Sequence, residues 1–104
     1  RFSKIGGEMV PHVRIEEAIN ALLGEQAAVV TSVPDEQKGE RLVVLHTAQG
    51  VSAGDFWDRL AKTGLPKLWI PKRENFYYVE ALPVLGTGKL DLRRARAMAR
   101  ELSG

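Results

Sequence analysis

The sequence contains no cysteine, and this absence excludes disulfide bonds, thiolate metal sites and a cysteine nucleophile. No apolar run is long enough to span a bilayer, and no signal peptide is visible. Net charge is also small: 15 basic and 13 acidic residues leave +2 at pH 7, which argues against wholesale wrapping of nucleic acid. What is present, 104 residues with 44% hydrophobic and 27% charged side chains, is typical of one globular domain with a single small core.

The hydrophobic pattern predicts an α+β fold, in which a small sheet of about three strands is flanked by helices and preceded by a β-hairpin. Two short extended stretches around Gly6-Gly7 predict the hairpin. The β-branched segments 27–33 and 41–47 predict two strands joined by the polar turn PDEQKGE, and 75–82 predicts a third strand. The three predicted helices cover 13–23, 52–63 and the segment after Asp91.

Polar residues and glycines mark the ends of these helices. Gly24 and Gly64 are stop signals for the first two, and Asp91 is the expected N-cap of the last. Glu16 and Glu17 are expected in the first turn of the first helix, where acidic residues are stabilising. Ser52 stands in a capping-box-like relation to Asp55. The apolar faces predicted to be buried are Ala53, Phe56, Trp57, Leu60 and Ala61 on the second helix, and Leu92, Ala95, Ala99 and Leu102 on the last.

Lys89 follows two glycines and precedes an arginine-rich helix, an order typical of phosphate-binding loops. It is not part of a Walker A loop, because Leu90 stands where a serine or threonine is needed and position 83 is proline. Arg93 and Arg94, in the first helical turn, oppose the helix dipole unless an anion is recruited. The residues alone leave two interpretations open: an anion-binding lysine, or a solvated lysine in a glycine turn.

Two groups of basic residues are candidates for binding a partner. Arg93, Arg96 and Arg100 share one helical face by their spacing, and either an acidic partner or ordinary solvent could face it. The second group lies near Trp69 and contains Lys67, Lys72 and Arg73. Basic residues beside an aromatic ring could suit nucleic acid, but no nucleic-acid-binding module is recognisable.

Other chemistry has little support in the sequence. Neither histidine stands in a metal-ligand spacing, and His46, within a predicted strand, is expected to be structural. Ser3 and Ser52 have no base or acid partner visible in the sequence, so a hydrolytic triad is not supported. We therefore expect no metal site and no self-contained active site in this domain.

Three segments, in order, resemble the C-terminal domain of the adenylate-forming ligase superfamily, which includes acyl-CoA synthetases, luciferases and the adenylation domains of peptide synthetases. They are KIGGEMVPHVRIE, which is similar to the segment after the inter-domain hinge, PDEQKGERLVV, and LPVLGTGKLDLRRAR, which is similar to the terminal signature with its catalytic lysine. Together the segments cover nearly the whole chain. The residues that match the first motif are Lys4, Gly7, Val10, Ile15 and Glu16.

The first segment also departs from the family pattern. Ser3 replaces the usual aliphatic residue, the proline is displaced to Pro11, and Arg1 lies next to the pivot of the hinge. The form RFSKIGGEMV most resembles the acyl-carrier-protein synthetase part of bifunctional 2-acylglycerophosphoethanolamine acyltransferases. Because the chain opens on Arg1 and not on methionine, we expect residues 1–104 to be a single C-terminal lid domain excised from a larger ligase.

The resemblance implies roles for two loops. Lys89 would be the catalytic lysine of adenylation, reaching the carboxylate and α-phosphate region of a site in the absent N-terminal domain. The lid would then rotate and present its other face to the pantetheine tunnel for thioester formation. The residues implied are Lys4, Gly6, Gly7 and Glu8 on the thioester face and Gly86, Thr87 and Gly88 on the phosphate side, where glycines allow close approach of backbone to a ligand.

The resemblance also implies the cofactors and partners. ATP and Mg²⁺ would be bound mainly by the N-terminal adenylation domain, together with a fatty acid, and the acceptor thiol would belong to the phosphopantetheine of an acyl carrier protein. The alternatives are a plain acyl-CoA synthetase, or a small basic module that binds nucleic acid or protein. A cytoplasmic location is implied, with any contact with the inner membrane made by other parts of the parent chain. The residues expected to dock a carrier protein are Lys67, Lys72, Arg73, Arg93, Arg96 and Arg100.

Overall fold

The computed structural model describes all 104 residues and has the predicted α+β architecture of hairpin, helix, two strands, helix, strand and helix. The segment with two prolines, predicted to be irregular, contains two single turns of 3-10 helix, Lys67–Trp69 and Arg73–Asn75. None of the helices has the length and apolar character needed to cross a membrane. The elements are β1 (Phe2–Ile5), β2 (Glu8–Pro11), α1 (His12–Leu23), β3 (Ala28–Asp35), β4 (Gly39–His46), α2 (Ala53–Ala61), β5 (Phe76–Tyr78) and α3 (Leu92–Ser103).

The β1–β2 hairpin turns at Gly6 and Gly7, as predicted. Both glycines have a left-handed backbone, with φ values of 57° and 90°, which is the requirement of a two-residue type I′ turn. Phe2 pairs with Pro11 at the open end, and Ile5 pairs with Glu8 beside the turn. The hairpin buries one side against the rest of the domain and leaves its tip in solvent.

The main sheet has the order β3-β4-β5, with β3 antiparallel and β5 parallel to β4. Because side chains alternate along a strand, β3 and β4 support a separate core on each side of the sheet. We call the side covered by the hairpin, α1 and α2 the hairpin face, and the side covered by α3 the helix face. The buried strand residues are Ala28, Val30, Leu42 and Val44 on the hairpin face, and Val29, Val33, Val43 and Leu45 on the helix face.

The prediction for Glu16 and Glu17 is wrong. The helix α1 begins at His12, directly after Pro11 ends β2, so both acids lie in the second turn and the first turn contains no acid. Glu17 is exposed, whereas Glu16 is only 8% exposed and faces the sheet. The reason is that the hairpin passes into the helix without a loop, which places the helix start earlier than its apolar pattern indicates.

Three helix details also differ from prediction. The side chain of Ala61 is exposed, and α2 ends there, with Gly64 lying beyond the C-cap. Leu92 and Leu102 remain 40% and 47% exposed. Only the small residues Ala95 and Ala99 are buried on α3, so the helix packs on the sheet along a narrow stripe that the outer leucines do not reach.

The last strand is shorter than predicted. It covers Phe76–Tyr78, and the last hydrogen bond to the sheet is donated by the Val79 amide to the His46 carbonyl. The neighbouring strand β4 ends at His46, so the rest of 75–82 has no partner to pair with. This segment instead carries the chain to the loop that contains Lys89.

Candidate functional site

Lys89 closes a small hairpin of its own. Val84 bridges Leu90, the Leu85 amide donates to the Lys89 carbonyl at 2.7 Å, and the Gly88 amide donates to the Leu85 carbonyl at 2.9 Å. Gly88 has φ 90°, so the turn ends on a left-handed residue as a glycine bulge. The Lys89 side chain is exposed and has no carboxylate within 4 Å. The loop therefore presents a lysine ammonium that no internal anion neutralises.

The backbone amides of this loop fall into two sets. Those of Leu85, Gly88 and Asp91 donate to carbonyls within the hairpin, whereas those of Gly86, Thr87 and Lys89 donate to no backbone carbonyl. Asp91 is the N-cap of α3, as predicted, and its carboxylate accepts from the Arg94 amide at 3.0 Å. This carboxylate already supplies a negative charge at the helix N-terminus, so the helix dipole gives no separate reason to recruit an anion. The groups left to attract an anion are the Lys89 ammonium and the amides at the tip of the loop.

Exposed apolar side chains lie near Lys89, and we call Val84, Leu85 and Leu92 the apolar collar. Val84 and Leu85 are 57% and 47% exposed, and Leu92, 40% exposed, lines one depression together with Val84 and Lys89. A depression of about 390 Å³, lined by Leu82, Leu90 and Arg1 among others, lies beside the lysine. Apolar side chains clustered around a cation are typical of a surface that another body covers, because such a surface is costly to leave in water. Leu82 and Leu90 also pack against the helix-face core, which anchors the Lys89 hairpin to that side of the sheet.

The two glycines of this loop have different structural roles. Only Gly88 is left-handed, whereas Gly86 has an ordinary backbone, and a Cβ at either position would meet no atom within 4 Å. We expect Gly88→Ala to lower the free energy of unfolding by about 1 kcal/mol, because alanine is strained at this φ. Gly86→Ala is the matched control, with no loss expected. Urea denaturation of the 104-residue chain measures both, and equal effects would contradict the assignment of the bulge.

The Gly6–Gly7 tip is also fully exposed, and Lys4 and Glu8 project beside it. Two hydrogen bonds tie this tip to the β3–β4 turn. The Gly6 amide donates to the Lys38 carbonyl at 3.1 Å, and the Lys4 amide donates to Glu40 Oε2 at 2.9 Å. Since Ile5 and Val10 belong to the core of the hairpin face, the Gly6–Gly7 tip and the Lys89 hairpin are anchored to opposite sides of one sheet.

A partly buried ion pair, which the sequence did not indicate, fixes the start of β1. Arg1 and Glu16 form two hydrogen bonds, at 3.1 and 2.7 Å, and Arg1 also donates to the Val30 carbonyl. Glu16 Oε2 accepts from the Val30 amide at 2.8 Å. The pair therefore joins β1, α1 and β3. The two residues are 15 positions apart in sequence, so no local sequence pattern predicts that they pair.

Ser3 and His12 form a second unexpected pair. The Ser3 hydroxyl is hydrogen-bonded to His12 Nε2 across the hairpin, and both residues are buried. Burial, followed by the nearby Arg1 guanidinium, lowers the pKa of His12 to about 4, so the imidazole is neutral at pH 7. A serine without solvent access cannot reach a substrate, so this pair does not support a hydrolytic triad.

His46 is buried at the end of β4, between the rings of Phe56 and Tyr78, as expected of a structural residue. Burial lowers its pKa. No group of three or more histidine, aspartate or glutamate side chains is placed to hold a metal ion.

The structure places the two basic groups on different surfaces. The arginines of α3 are exposed and none has a carboxylate within 4 Å. On the hairpin face, Arg73 pairs with Asp58 at 3.7 Å and lies over the Trp57 ring at 4.9 Å from its centroid. Lys67 and Lys72 line a cavity of about 280 Å³ beside Trp57. The two groups therefore belong to elements that pack against opposite faces of the sheet.

No protein-family model matches the sequence. Solved structures do match the fold. MatB from Rhodopseudomonas palustris matches 99% of this chain and 21% of its own length, with a TM-score of 0.86 and 24% identity. The fatty acyl-CoA synthetase of Mycobacterium tuberculosis matches 93% of this chain and 19% of its own, with a TM-score of 0.81 and 27% identity. The acyl-CoA synthetase of Brucella canis matches all of this chain and 20% of its own, with a TM-score of 0.83 and 21% identity.

These matches agree with the resemblance of the three sequence segments to adenylate-forming ligases. The chain has the fold of one domain-sized part of such enzymes and spans about a fifth of the length of the solved proteins it matches. Lys89 and the Gly6–Gly7 tip both lie within the matched fold, on loops that project from opposite sides of its sheet.

Proposed function

We propose that residues 1–104 are the lid domain of an ATP-dependent acid–thiol ligase that serves two half-reactions in turn. The observation that carries this proposal is the pair of exposed loops, one with Lys89 and one with Gly6-Gly7, anchored to opposite sides of one sheet. A domain that has to present two different loops to one site must turn as a rigid body between two poses. An arrangement with one loop on each side of a sheet suits that task.

In the first pose, Lys89 supplies the positive charge for adenylation. Negative charge on the reacting carboxylate and α-phosphate has to be stabilised as pyrophosphate leaves, and an exposed ammonium without an internal partner can do so. The apolar collar of Val84, Leu85 and Leu92 would close against the neighbouring domain and exclude water. In a water-poor site the attraction between the lysine and the developing anion is stronger than at an open surface.

In the second pose, the Gly6–Gly7 tip faces the acceptor thiol. With two glycines and no Cβ at the turn, a pantetheine arm can pass close to the backbone. Lys4 and Glu8 flank this passage. The remaining parts of the reaction, with ATP, Mg²⁺ and a fatty acid as substrate, belong to a larger N-terminal domain in this proposal. The narrower assignment is an acyl-carrier-protein synthetase fused to a 2-acylglycerophosphoethanolamine acyltransferase.

The basic surface of α3 supports a carrier protein as acceptor. Acyl carrier proteins are acidic, and Arg93, Arg96 and Arg100 have no carboxylate partner of their own in this domain. Such a stripe would steer an acidic partner by long-range attraction. Arg73 contributes less in this proposal, because it already pairs with Asp58.

Coenzyme A is the second candidate acceptor, and the cavity on the hairpin face favours it. Lys38, Lys67 and Lys72 line this cavity together with Trp57, and its lining also contains the carboxylates of Asp35 and Glu40. Lysines beside an aromatic ring suit a phosphorylated aromatic group such as the nucleotide end of coenzyme A. The two acceptors share the pantetheine arm and differ only in what lies beyond it.

The experiment that tests the function uses the full-length protein. We expect pyrophosphate exchange into ATP that depends on a fatty acid, and thioester formation that is faster with pantetheinylated carrier protein than with coenzyme A. Faster reaction with coenzyme A would retain the lid and change the acceptor. Absence of exchange with every carboxylic acid tried, combined with salt-sensitive binding of RNA or DNA, would overturn the ligase in favour of a basic binding module.

A further inference from the structure

The Gly6–Gly7 hairpin is not self-supporting. A two-stranded hairpin of four residues on each side is marginal in water, so contacts with other elements decide where its tip lies. The β3–β4 turn supplies those contacts through the Lys38 carbonyl, which accepts from the Gly6 amide, and the Glu40 carboxylate, which accepts from the Lys4 amide. Gly39, at the start of β4, lies beside the hairpin, because a Cβ at this position would be 3.7 Å from the Lys4 carbonyl oxygen, an ordinary van der Waals contact.

Glu40 supplies the side-chain hydrogen bond in this support, and both of its carboxylate oxygens are engaged. Oε2 accepts from the Lys4 amide at 2.9 Å, and Oε1 accepts from the Ser32 hydroxyl at 2.8 Å. Its pKa lies below the usual value: burial acts to raise it, and the hydrogen bonds from Lys4 and Ser32 outweigh that effect. The carboxylate is therefore ionised at neutral pH, where charge-assisted hydrogen bonds are stronger than neutral ones.

We propose that Glu40 is a positioning residue for thioester formation. Its hydrogen bond from the Lys4 amide holds the Lys4–Gly7 segment in a fixed position relative to the sheet. This inference rests on the proposed role of the hairpin in the second half-reaction. Glu40 acts through the Lys4 amide in this scheme, and because it also lines the cavity proposed above for coenzyme A, the test uses a carrier protein as acceptor. It leaves adenylation unaffected, because the Lys89 hairpin packs on the other side of the sheet.

The kinetic test compares Glu40→Ala, Glu40→Gln and the control Glu36→Ala in the full-length protein. Glu36 is an exposed acid of the same turn with no hydrogen bond from the hairpin. We expect Glu40→Ala to slow thioester formation from preformed acyl-adenylate about 10-fold, because small displacements of a positioned group are costly. Fatty-acid-dependent pyrophosphate exchange should stay within about twofold of wild type in all three variants. Glutamine keeps an acceptor oxygen for the Lys4 amide and should restore most of the lost rate.

A structural readout separates positioning from general loss of stability. Amide hydrogen exchange of the 104-residue chain should show faster exchange at Lys4 and Gly6 in Glu40→Ala, with unchanged exchange in the paired residues of β3 and β4. Faster exchange at every amide, together with losses in both half-reactions, would reduce Glu40 to a stabilising residue and overturn the proposal.

The proposal and the underlying function can fail separately. If the Lys4 and Gly6 amides lose protection in Glu40→Ala while thioester formation is unchanged, the positioning role is wrong and the ligase stands. If wild-type protein shows no fatty-acid-dependent exchange and no thioester formation, the proposed function fails before Glu40 is tested.

Discussion

Lys89→Ala in the full-length protein is expected to reduce fatty-acid-dependent pyrophosphate exchange at least 100-fold. Removing one donor aimed at a developing anion typically costs about 10²–10³ in rate, and Lys89 is the one charged side chain that the loop presents. Because the backbone amides at Leu85, Gly88 and Asp91 are engaged within the hairpin, they cannot replace the lost ammonium. Thioester formation from preformed acyl-adenylate should be largely retained, since it uses the opposite side of the domain.

Two further variants serve as comparisons for Lys89→Ala. Lys62→Ala removes an exposed lysine at the C-cap of α2, far from either loop in sequence, and should leave both half-reactions unchanged. Lys89→Arg keeps the charge on a planar, bulkier head group and should restore only part of the exchange. If exchange survives in Lys89→Ala, the residue is a solvated loop lysine and the first half of the proposed function is lost, although the fold is unaffected.

Glu16→Ala is expected to cause the largest loss of stability, about 2–3 kcal/mol. The substitution leaves the Val30 amide without its acceptor and the Arg1 guanidinium without its carboxylate. Removing one partner of a buried ion pair typically costs about 3–5 kcal/mol. Because Arg1 is partly exposed, water can solvate its guanidinium in the variant, so we expect a loss below that range. Glu17→Ala is the matched control, because Glu17 is exposed and adjacent in sequence.

The measurement is denaturant unfolding of the 104-residue chain for wild type and both variants. Glu17→Ala should lie within about 0.5 kcal/mol of wild type. The slope of the free energy with denaturant should be unchanged in both variants, which would show that stability and not the unfolded state has changed. Similar losses in the two variants would mean that the Arg1–Glu16 pair is not what joins β1, α1 and β3.

The order of the elements could be predicted because each has a local signal. The β-branched segments and the polar turn between them predicted β3 and β4, the glycine pair predicted the first hairpin, and Ser52 and Asp91 cap their helices as predicted. The errors lie where tertiary contacts decide the outcome. Leu92 and Leu102 were assigned to the core by their spacing, but the close contact of Ala95 and Ala99 with the sheet leaves them outside.

The candidate site was less accessible to prediction. Lys89 was ambiguous from its neighbours alone, and its assignment as the adenylation lysine came from resemblance and stays a prediction. The roles of Glu40 and Arg1 depend on partners 36 and 15 residues away, which no short pattern records. Asp91 shows the reverse case, since a correctly predicted cap removed the electrostatic argument for an anion at the start of α3.

The alternation of side chains along β4 has a consequence for how this domain can evolve. Leu42 and Val44 support the Gly6–Gly7 hairpin, and Val43 and Leu45 support the opposite side. Insertion or deletion of one residue within β4 would move each of these side chains to the other face of the sheet. Both loops would then lose the buried contacts that support them. A point substitution affects only one face of the sheet, so the sequence of one loop can change while the other loop is preserved. We therefore expect homologous domains to vary in turn length and side-chain identity and to keep the length of this strand constant.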